Sequence, residues 1–502
     1  MAKKKKIREK KQPSFIVAVI PIIAMILLLG LGYGFFHIGP EVLMLVSAAI
    51  AAIIAYFLGY SWDEIQDNIV DKIAKTMPAI LILIVVGFLI GTWMIGGTIP
   101  MMIYYGLKLI SPSFIIVTAF VVTSFVSLCT GTSWGSTGTI GVAIMGVAAS
   151  MHAPLAIVGG AVVSGAYFGD KLSPLSGSTN LAPIAAGSEL YEHIKHLLWT
   201  TLPGVFICLV VYTIVGLNLN VASGTNSHNI LLVENSIEKL FSMNIMILLP
   251  IVIVLVGSAL QKPTIPVMLF SSTLAIFNAV VIQHFNIKDA CTAAVSGFTV
   301  DMLPKGVHLT ASLATLLERG GMISMLSVVL IALCAYGFAG AMDVSNSLTV
   351  VLNQMTKAIR SAGQLIATAV FSTILVTFVT SNGQLSELLP GEMFRDTFVK
   401  YGLEPKNLSR TVEDAGTMVE PIVPWTAAGV YMATTLGVPT LSYLPWAILC
   451  YSGTFFALLY AFTGIGVAKI TKKSRFYDEY VQRNTGDGKY DVKATVQNST
   501  QA

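Results

Sequence analysis

Apolar stretches of about 18 residues or more recur along almost the whole of this chain, and each is long enough to cross roughly 30 Å of hydrocarbon as a helix. Backbone in lipid must satisfy its own polar groups, which restricts spanning segments of this length to helices. The fold class read from the pattern is an all-α polytopic membrane protein. Stretches begin near Ser14, Glu41, Pro78, Ser111, His152, Thr200, Asn244, Ile265, Gly320, Gly363, Asp414 and Ser442. With a further candidate at residues 287–303, the reading is about 11–13 transmembrane helices. Composition agrees: 55% of residues are hydrophobic and 11% charged, where soluble domains run near a quarter charged.

Basic residues set the expected orientation. Residues 1–13 carry Lys3, Lys4, Lys5, Lys6, Arg8, Lys10 and Lys11. No small-x-small cleavage site follows promptly and many spans do, so this run reads as a cytoplasmic anchor, not as a cleaved signal. Lys469, Lys472, Lys473 and Arg475 follow the last span. The expected organisation is therefore a first transmembrane half over 14–220, a connecting loop over 221–240, a second half over 241–467 and a polar tail over 468–502, with both termini cytoplasmic and the protein multi-pass in the plasma membrane. These flanks account for the formal charge of +4 and imply no nucleic-acid partner. Cys129, Cys208, Cys291, Cys334 and Cys450 lie in apolar segments without C-x-x-C spacing and read as small core residues. Residues 61–77, 187–199 and 305–319 each place apolar side chains on one helical face, as interfacial helices do.

The two halves contain the same parts in the same order. The first runs through LIGTWMIGG, a span, CTGTSWGSTGTIG, and a span ending in GAYFGDKLSPLSGSTN. The second runs through CAYGFAGAMD, a span, VTSNGQLSELLPG, and EDAGTMVEPIVPWTAAG. Repetition with Gly- and Pro-interrupted segments at matching places points to a transporter binding site built from re-entrant hairpins and unwound helices.

Broken backbone in such segments frees carbonyls and hydroxyls to replace the hydration shell of a small hard cation. Thr130, Thr132 and Ser133, with Ser136 and Thr137, are candidates in the first half; the competing reading is helix packing through small residues. Asp170 ends a charge-free run from Ala153, and a carboxylate at membrane depth costs roughly 3 kcal/mol or more without a partner. Ser173, Ser176, Thr179 and Asn180 follow it, with Pro174 and Gly177 breaking the helix. The alternative for Asp170 is a pair with Lys171 at a helix end. In the second half Ser381 and Asn382 mirror Thr130–Ser133. Asp414 with Thr417 mirrors Asp170, making Asp170, Asn180 and Asp414 the candidate sodium ligands. Glu387, Glu392, Arg395 and Asp396 read as facing water, and the histidines as lying mainly in loops or short polar segments.

At these residues the sequence resembles the NhaC-type sodium/proton antiporter family, which includes sodium-coupled malate/lactate exchangers. The resemblance covers roughly Leu43–Gly466 and is carried by TGTSWGSTGTIGVAIMG, SGAYFGDKLSPLSGSTNLA, GTWMIGGTIP, SRTVEDAGT and PWTAAGVYMATTLGV. It implies two inverted repeats with re-entrant hairpins, exchange of sodium for protons, no cofactor, and a transport domain moving against a scaffold. Gly177 and Ser178 stand where the family pattern has an acid and a threonine. That departure leaves room for a small carboxylate or amino acid as a co-substrate; a homodimer is left open. Two other classes were weighed. An intramembrane aspartyl protease using Asp170 and Asp414 lacks G-x-G-D, since Tyr167 and Phe168 precede Gly169. An ATP-driven pump lacks the Gly-Lys-Ser/Thr that completes a phosphate loop.

Overall fold

A computed structural model gives the architecture over residues 10–36, 38–219, 225–260, 262–303, 314, 317–318, 320–357 and 359–485. Most of the amphipathic stretch at 305–319, the basic residues before Lys10 and the tail beyond residue 485 lie outside the described residues. Among those described, nine helices are long and apolar enough to cross a membrane, and two bent pairs bring the number to as many as 11. The bent pairs are Leu231–Leu240 with Ile245–Ala259, at 101°, and Thr440–Trp446 with Ile448–Thr463, at 57°.

Several elements differ from the sequence reading for identifiable reasons. The stretch 61–77 is not a separate interfacial helix. Ser61 accepts from the Glu64 N–H at 3.3 Å while the Glu64 carboxylate accepts from the Ser61 N–H at 2.9 Å, a reciprocal cap. From it one helix runs through Pro78 over Trp62–Ile95. Its 34 residues would extend about 50 Å, longer than the hydrocarbon is thick, so the amphipathic turns are the end that stands beyond it. Residues 187–199 likewise open the continuous Leu190–Leu217 helix. The expected connecting loop is helical over Thr225–Leu240. The candidate crossing at 287–303 is a helix of only 10 residues, Ile287–Ser296, too short to span. No span begins at Asp414, because Pro405–Ala415 breaks at Gly416 and helix resumes only at Ala427–Leu436. Cys208 and Cys450 are buried as read, but Cys129 and Cys291 are exposed.

The core is divided. Phe15–Leu27, Pro40–Phe57 and the end of Leu326–Asp343 share one apolar cluster with Val376 and Val379 of the second hairpin, whereas the first hairpin and the first broken helix lie in or beside others. Small residues allow close approach where polar backbone must be accommodated. A Cβ on Gly91 would stand 2.2 Å from the Ala293 carbonyl oxygen, so only glycine fits between Trp62–Ile95 and the short Ile287–Ser296 helix.

Candidate ion-binding site

Two helices stop inside the protein at tips of matching geometry. Ile115–Thr130 ends at Gly131, φ 66°, and extended Thr132 (φ −147°, ψ 123°) restarts the chain, its hydroxyl accepting from the Gly135 N–H. Ala362–Thr380 ends at Ser381, φ 53°, and extended Asn382 (φ −142°, ψ 117°) accepts from the Leu385 N–H. The correspondence continues in constant register. His152 and Gly402 both have positive φ, and helices start at Leu155 and Pro405. Ser176 and Thr426 precede the helices Gly177–Ala186 and Ala427–Leu436, which end at left-handed Gly187 and Gly437.

This register pairs Asp170 with Glu420, and Asp414 with Ser164, so the sequence reading of Asp414 as the counterpart of Asp170 is corrected. The signal was present in the sequence: Asp170 stands four residues before Pro174, and Glu420 four before Pro424. Glu413 and Asp414 beside Gly416 offer a competing register.

Both paired acids open onto one cavity of about 650 Å³ between the tips. Of the predicted site residues, Thr130, Thr132, Ser133, Asp170, Ser176, Asn180, Asn382 and Thr417 line it, as do Gly383, Lys262 and Glu420. The Ser133 hydroxyl donates to Asp170 Oδ2 at 2.8 Å. The Asn180 amide nitrogen donates to the carbonyls of Pro174 and Ser176, at 2.9 and 2.6 Å, which leaves its oxygen as the group available to a cation. Ser173, Thr179, Ser381 and Asp414 are not on the wall. Ser173 donates to the Leu128 carbonyl at 2.9 Å and fastens the first tip to the first broken helix. Thr179 donates to the carbonyls of Asp170 and Lys171, at 2.9 and 3.0 Å. The buried Ser381 hydroxyl has no partner. Asp414 is ion-paired with Lys171, both almost wholly buried, so Lys171 neutralises Asp414 and not its neighbour Asp170. The same pair keeps Asp170 and Asp414 from acting as a protease dyad.

Behind the cavity lies polarity that the sequence reading did not assign. Glu387 does not face water: it is fully buried, accepts from the Thr417 hydroxyl, and leaves Oε2 unpartnered. It sits near the start of Gly383–Lys400, beside the second tip, whereas Glu392, Arg395 and Asp396 further along are exposed. His193 and His196 are buried too, His193 against Glu413 at 2.7 Å and His196 against Asn407 at 3.1 Å. Among the described residues, five carboxylates (Asp170, Glu387, Glu413, Asp414 and Glu420) are buried, against the two basic side chains of Lys171 and Arg410 besides the histidines. Asp414 is ion-paired with Lys171 and Glu413 is hydrogen-bonded to His193, and among the described residues no ion pair reaches Asp170, Glu387 or Glu420.

This arrangement of broken helices around surplus buried acid can be compared with known proteins. The Na+/H+ antiporter family model matches residues 165–465. An uncharacterized Na+/H+ antiporter of Haemophilus influenzae is 52% identical over 462 residues, covering 92% of this chain and 98% of the relative. The chain belongs to the Na+/H+ antiporter family. The Na+/H+ antiporter NhaC of Alkalihalophilus pseudofirmus is 34% identical, with 86% of this chain and 91% of that protein covered. The malate-2H+/Na+-lactate antiporter of Bacillus subtilis is 34% identical, with coverage of 89% and 94%. As a member of this family the chain is a multi-pass transporter and not an enzyme. The match contains Asp170, Asn180, Asn382 and Glu420, and so both broken helices and the second tip.

Proposed function

We propose that this protein exchanges sodium for protons, using Asp170 and Glu420 as the paired acids of a cavity, each neutralised by the two ions in turn. The observation that carries the reading is the set of buried carboxylates without a cationic partner: Asp170, Glu387 and Glu420. Removing an uncompensated charge from water is costly, so the stable forms of the site are those in which a proton or a metal cation neutralises it. The two ions compete for the same oxygens, and competition at one site exposed alternately to the two sides of the membrane gives exchange. Asp170 and Asn180 supply oxygen ligands for sodium, with hydroxyls of Thr132 and Ser133 beside them.

The repeats are inverted in this reading, with both termini at the cytoplasmic face of the plasma membrane and with halves over 14–220 and 241–467. Contacts at their ends support it. Glu404, at the start of the second broken segment, donates its N–H to the Ala468 carbonyl, and Glu189, just past the end of the first, pairs with Arg475. Conversely Gly160, near the start of the first, lies against Trp446, beyond the end of the second. The start of one segment thus lies with the end of the other.

Sodium-coupled exchange of a small carboxylate is the second reading. It is favoured by a cavity far larger than a bare ion and by Lys262 on its wall, and by the uncapped N–H groups after Ser176, where an anion would be stabilised. Sealed proteoliposomes containing a trapped pH dye decide between the two. A pH change driven by a sodium gradient alone is expected; a signal that appears only when an organic acid or amino acid is added would replace simple antiport with coupled exchange.

A further inference from the structure

Behind the segment that carries Asp170, buried polar groups form a hydrogen-bonded chain from Glu413 to the protein surface. The Thr179 hydroxyl, which donates to the Asp170 carbonyl, also reaches Glu413 Oε1 at 3.3 Å. Glu413 Oε2 lies 2.7 Å from His193 Nε2, and His193 Nδ1 lies 2.8 Å from Ser409 Oγ. Ser188 Oγ donates to Ser409 Oγ at 2.9 Å. Glu413, His193 and Ser409 are fully buried. Ser188 is partly exposed and adjoins exposed Glu189, which pairs with Arg475. None of the four lines the cavity.

Burying a histidine, a glutamate and a hydroxyl together is costly unless each is satisfied, and an apolar contact between these helices would serve stability as well. The chain instead offers alternating donors and acceptors. We infer that Ser188, Ser409 and His193 conduct protons between the surface and Glu413, the buried acid behind the cavity, by a route separate from the cavity that admits sodium. The inference rests on the exchange reading. A carboxylate at Glu413 takes the Nε2–H of neutral His193, which leaves Nδ1 to accept from Ser409, while Ser409 accepts from Ser188. When Ser188 receives a proton from water it passes its own to Ser409. Ser409 passes its own to Nδ1, and Nε2 releases its proton to Glu413. Each hydroxyl keeps its proton count, the imidazole changes tautomer, and Glu413 gains the proton. Sodium cannot be relayed in this way.

Several charged and titratable groups surround His193. Its own helix carries Glu192, Lys195 and His196 within one turn of it. On Pro405–Ala415 there are Glu413, Arg410 and Asp414, with Lys406 nearer the surface, and on Leu155–Leu172 there are Asp170 and Lys171. On Ile448–Thr463 there are Cys450 and Tyr460. Lys171 is committed to Asp414, and the one hydrogen bond found for the Arg410 side chain is from Nη1 to the Gly466 carbonyl, which leaves His193 as the titratable partner of Glu413.

The test uses the full chain in proteoliposomes with two readouts: exchange of radioactive sodium against unlabelled sodium, which moves no net proton, and sodium-driven proton movement. In His193→Gln, which keeps a polar side chain of similar size but cannot carry the proton, sodium–sodium exchange is expected to persist while proton movement falls about 100-fold. Ser409→Ala is expected to reduce proton movement in the same selective way. Undiminished proton movement in both variants, or loss of both readouts in both variants, overturns the conduit. If wild-type protein performs sodium–sodium exchange but no sodium–proton exchange, it is the exchange reading that fails.

Discussion

At the first tip, Gly131 turns the chain and Ser133 gives its hydroxyl to Asp170; at the second, Ser381 turns it and Gly383 occupies the position equivalent to Ser133. The backbones match and the support of the acids does not. Glu420 is one methylene longer than Asp170 and fills the space that a side chain at position 383 would take: a Cβ on Gly383 would lie 2.5 Å from Glu420 Oε2. Backbone N–H groups of Gly383 and Ala428 face the Glu420 carboxylate, whereas that of Asp170 meets the side-chain hydroxyls of Ser133 and Ser176 as well as the Ser133 N–H. A hydroxyl can turn its lone pair toward a cation; an N–H can only donate. The repeat therefore supplies one backbone device twice, with side-chain hydroxyls at the acid of the first copy.

The largest effects should separate the two acids. Asp170→Asn is expected to abolish sodium binding and sodium-driven proton movement while the protein still inserts into the membrane. Glu420→Gln removes a nearby charge but no principal ligand, and is expected to weaken sodium binding about tenfold, the equivalent of about 1.4 kcal/mol. Sodium titration of the purified variants, alongside proteoliposome exchange, checks both. Equal loss in the two variants would make the copies equivalent ligands, and full activity in Asp170→Asn would remove the site.

Smaller changes test how each acid is supported. In Gly383→Ala the new methyl meets the Glu420 carboxylate on one side and the Thr417 Cα at 3.2 Å on the other, so the carboxylate must shift. Such overpacking costs about 1–3 kcal/mol, and an approximately tenfold loss of exchange is expected. Ser133→Ala removes a hydrogen bond to a carboxylate that borders the cavity, where water can take its place. Its effect should be about threefold, less than the usual worth of a buried bond to a charged group. Apparent sodium affinity in the two variants gives the comparison. A Ser133→Ala loss larger than that of Gly383→Ala would show that the Ser133 hydroxyl is itself an indispensable ligand.

Much of this was legible in the sequence, and the omissions share a cause. Apolar length located most of the spans but added false ones at Asp414 and 287–303, and Gly and Pro beside hydroxyls marked both tips and the unwound segment after Asp170. The polar run around Asn407, Ser409, Arg410, Glu413 and Asp414 carried no sign that every one of these side chains is buried, because the partners that enclose it come from distant helices. His193 looked interfacial for the same reason. In a membrane protein, polarity in the sequence does not distinguish a segment facing water from one enclosed by protein. Glu420 was missed for a different reason: its spacing to Pro424 repeats that of Asp170 to Pro174, but the acids beside Gly416 offer a competing register that the matched backbone excludes.

The comparison between the halves also has a directional form, whose test should leave transport almost untouched. Ser111 and Ser361 occupy equivalent positions at the starts of the two hairpins, and both are exposed. If the repeats are inverted, the two positions lie on opposite sides of the membrane. The Leu403–Lys469 bridge ties the far end of the second hairpin to the C-terminal segment, which places Ser361 on the side of that segment and Ser111 on the other. Ser361 caps its helix by accepting from the Gln364 N–H at 3.2 Å, so Ser361→Cys forfeits about 1 kcal/mol of local stability; Ser111 makes no such side-chain bond. Each cysteine is introduced singly into an otherwise cysteine-free chain, and a membrane-impermeant thiol reagent is applied to right-side-out and then to inverted vesicles. Position 111 should react in one orientation and position 361 in the other. Reaction of both from the same side would mean that the matched backbones run parallel, and alternating access would then need a different geometric basis.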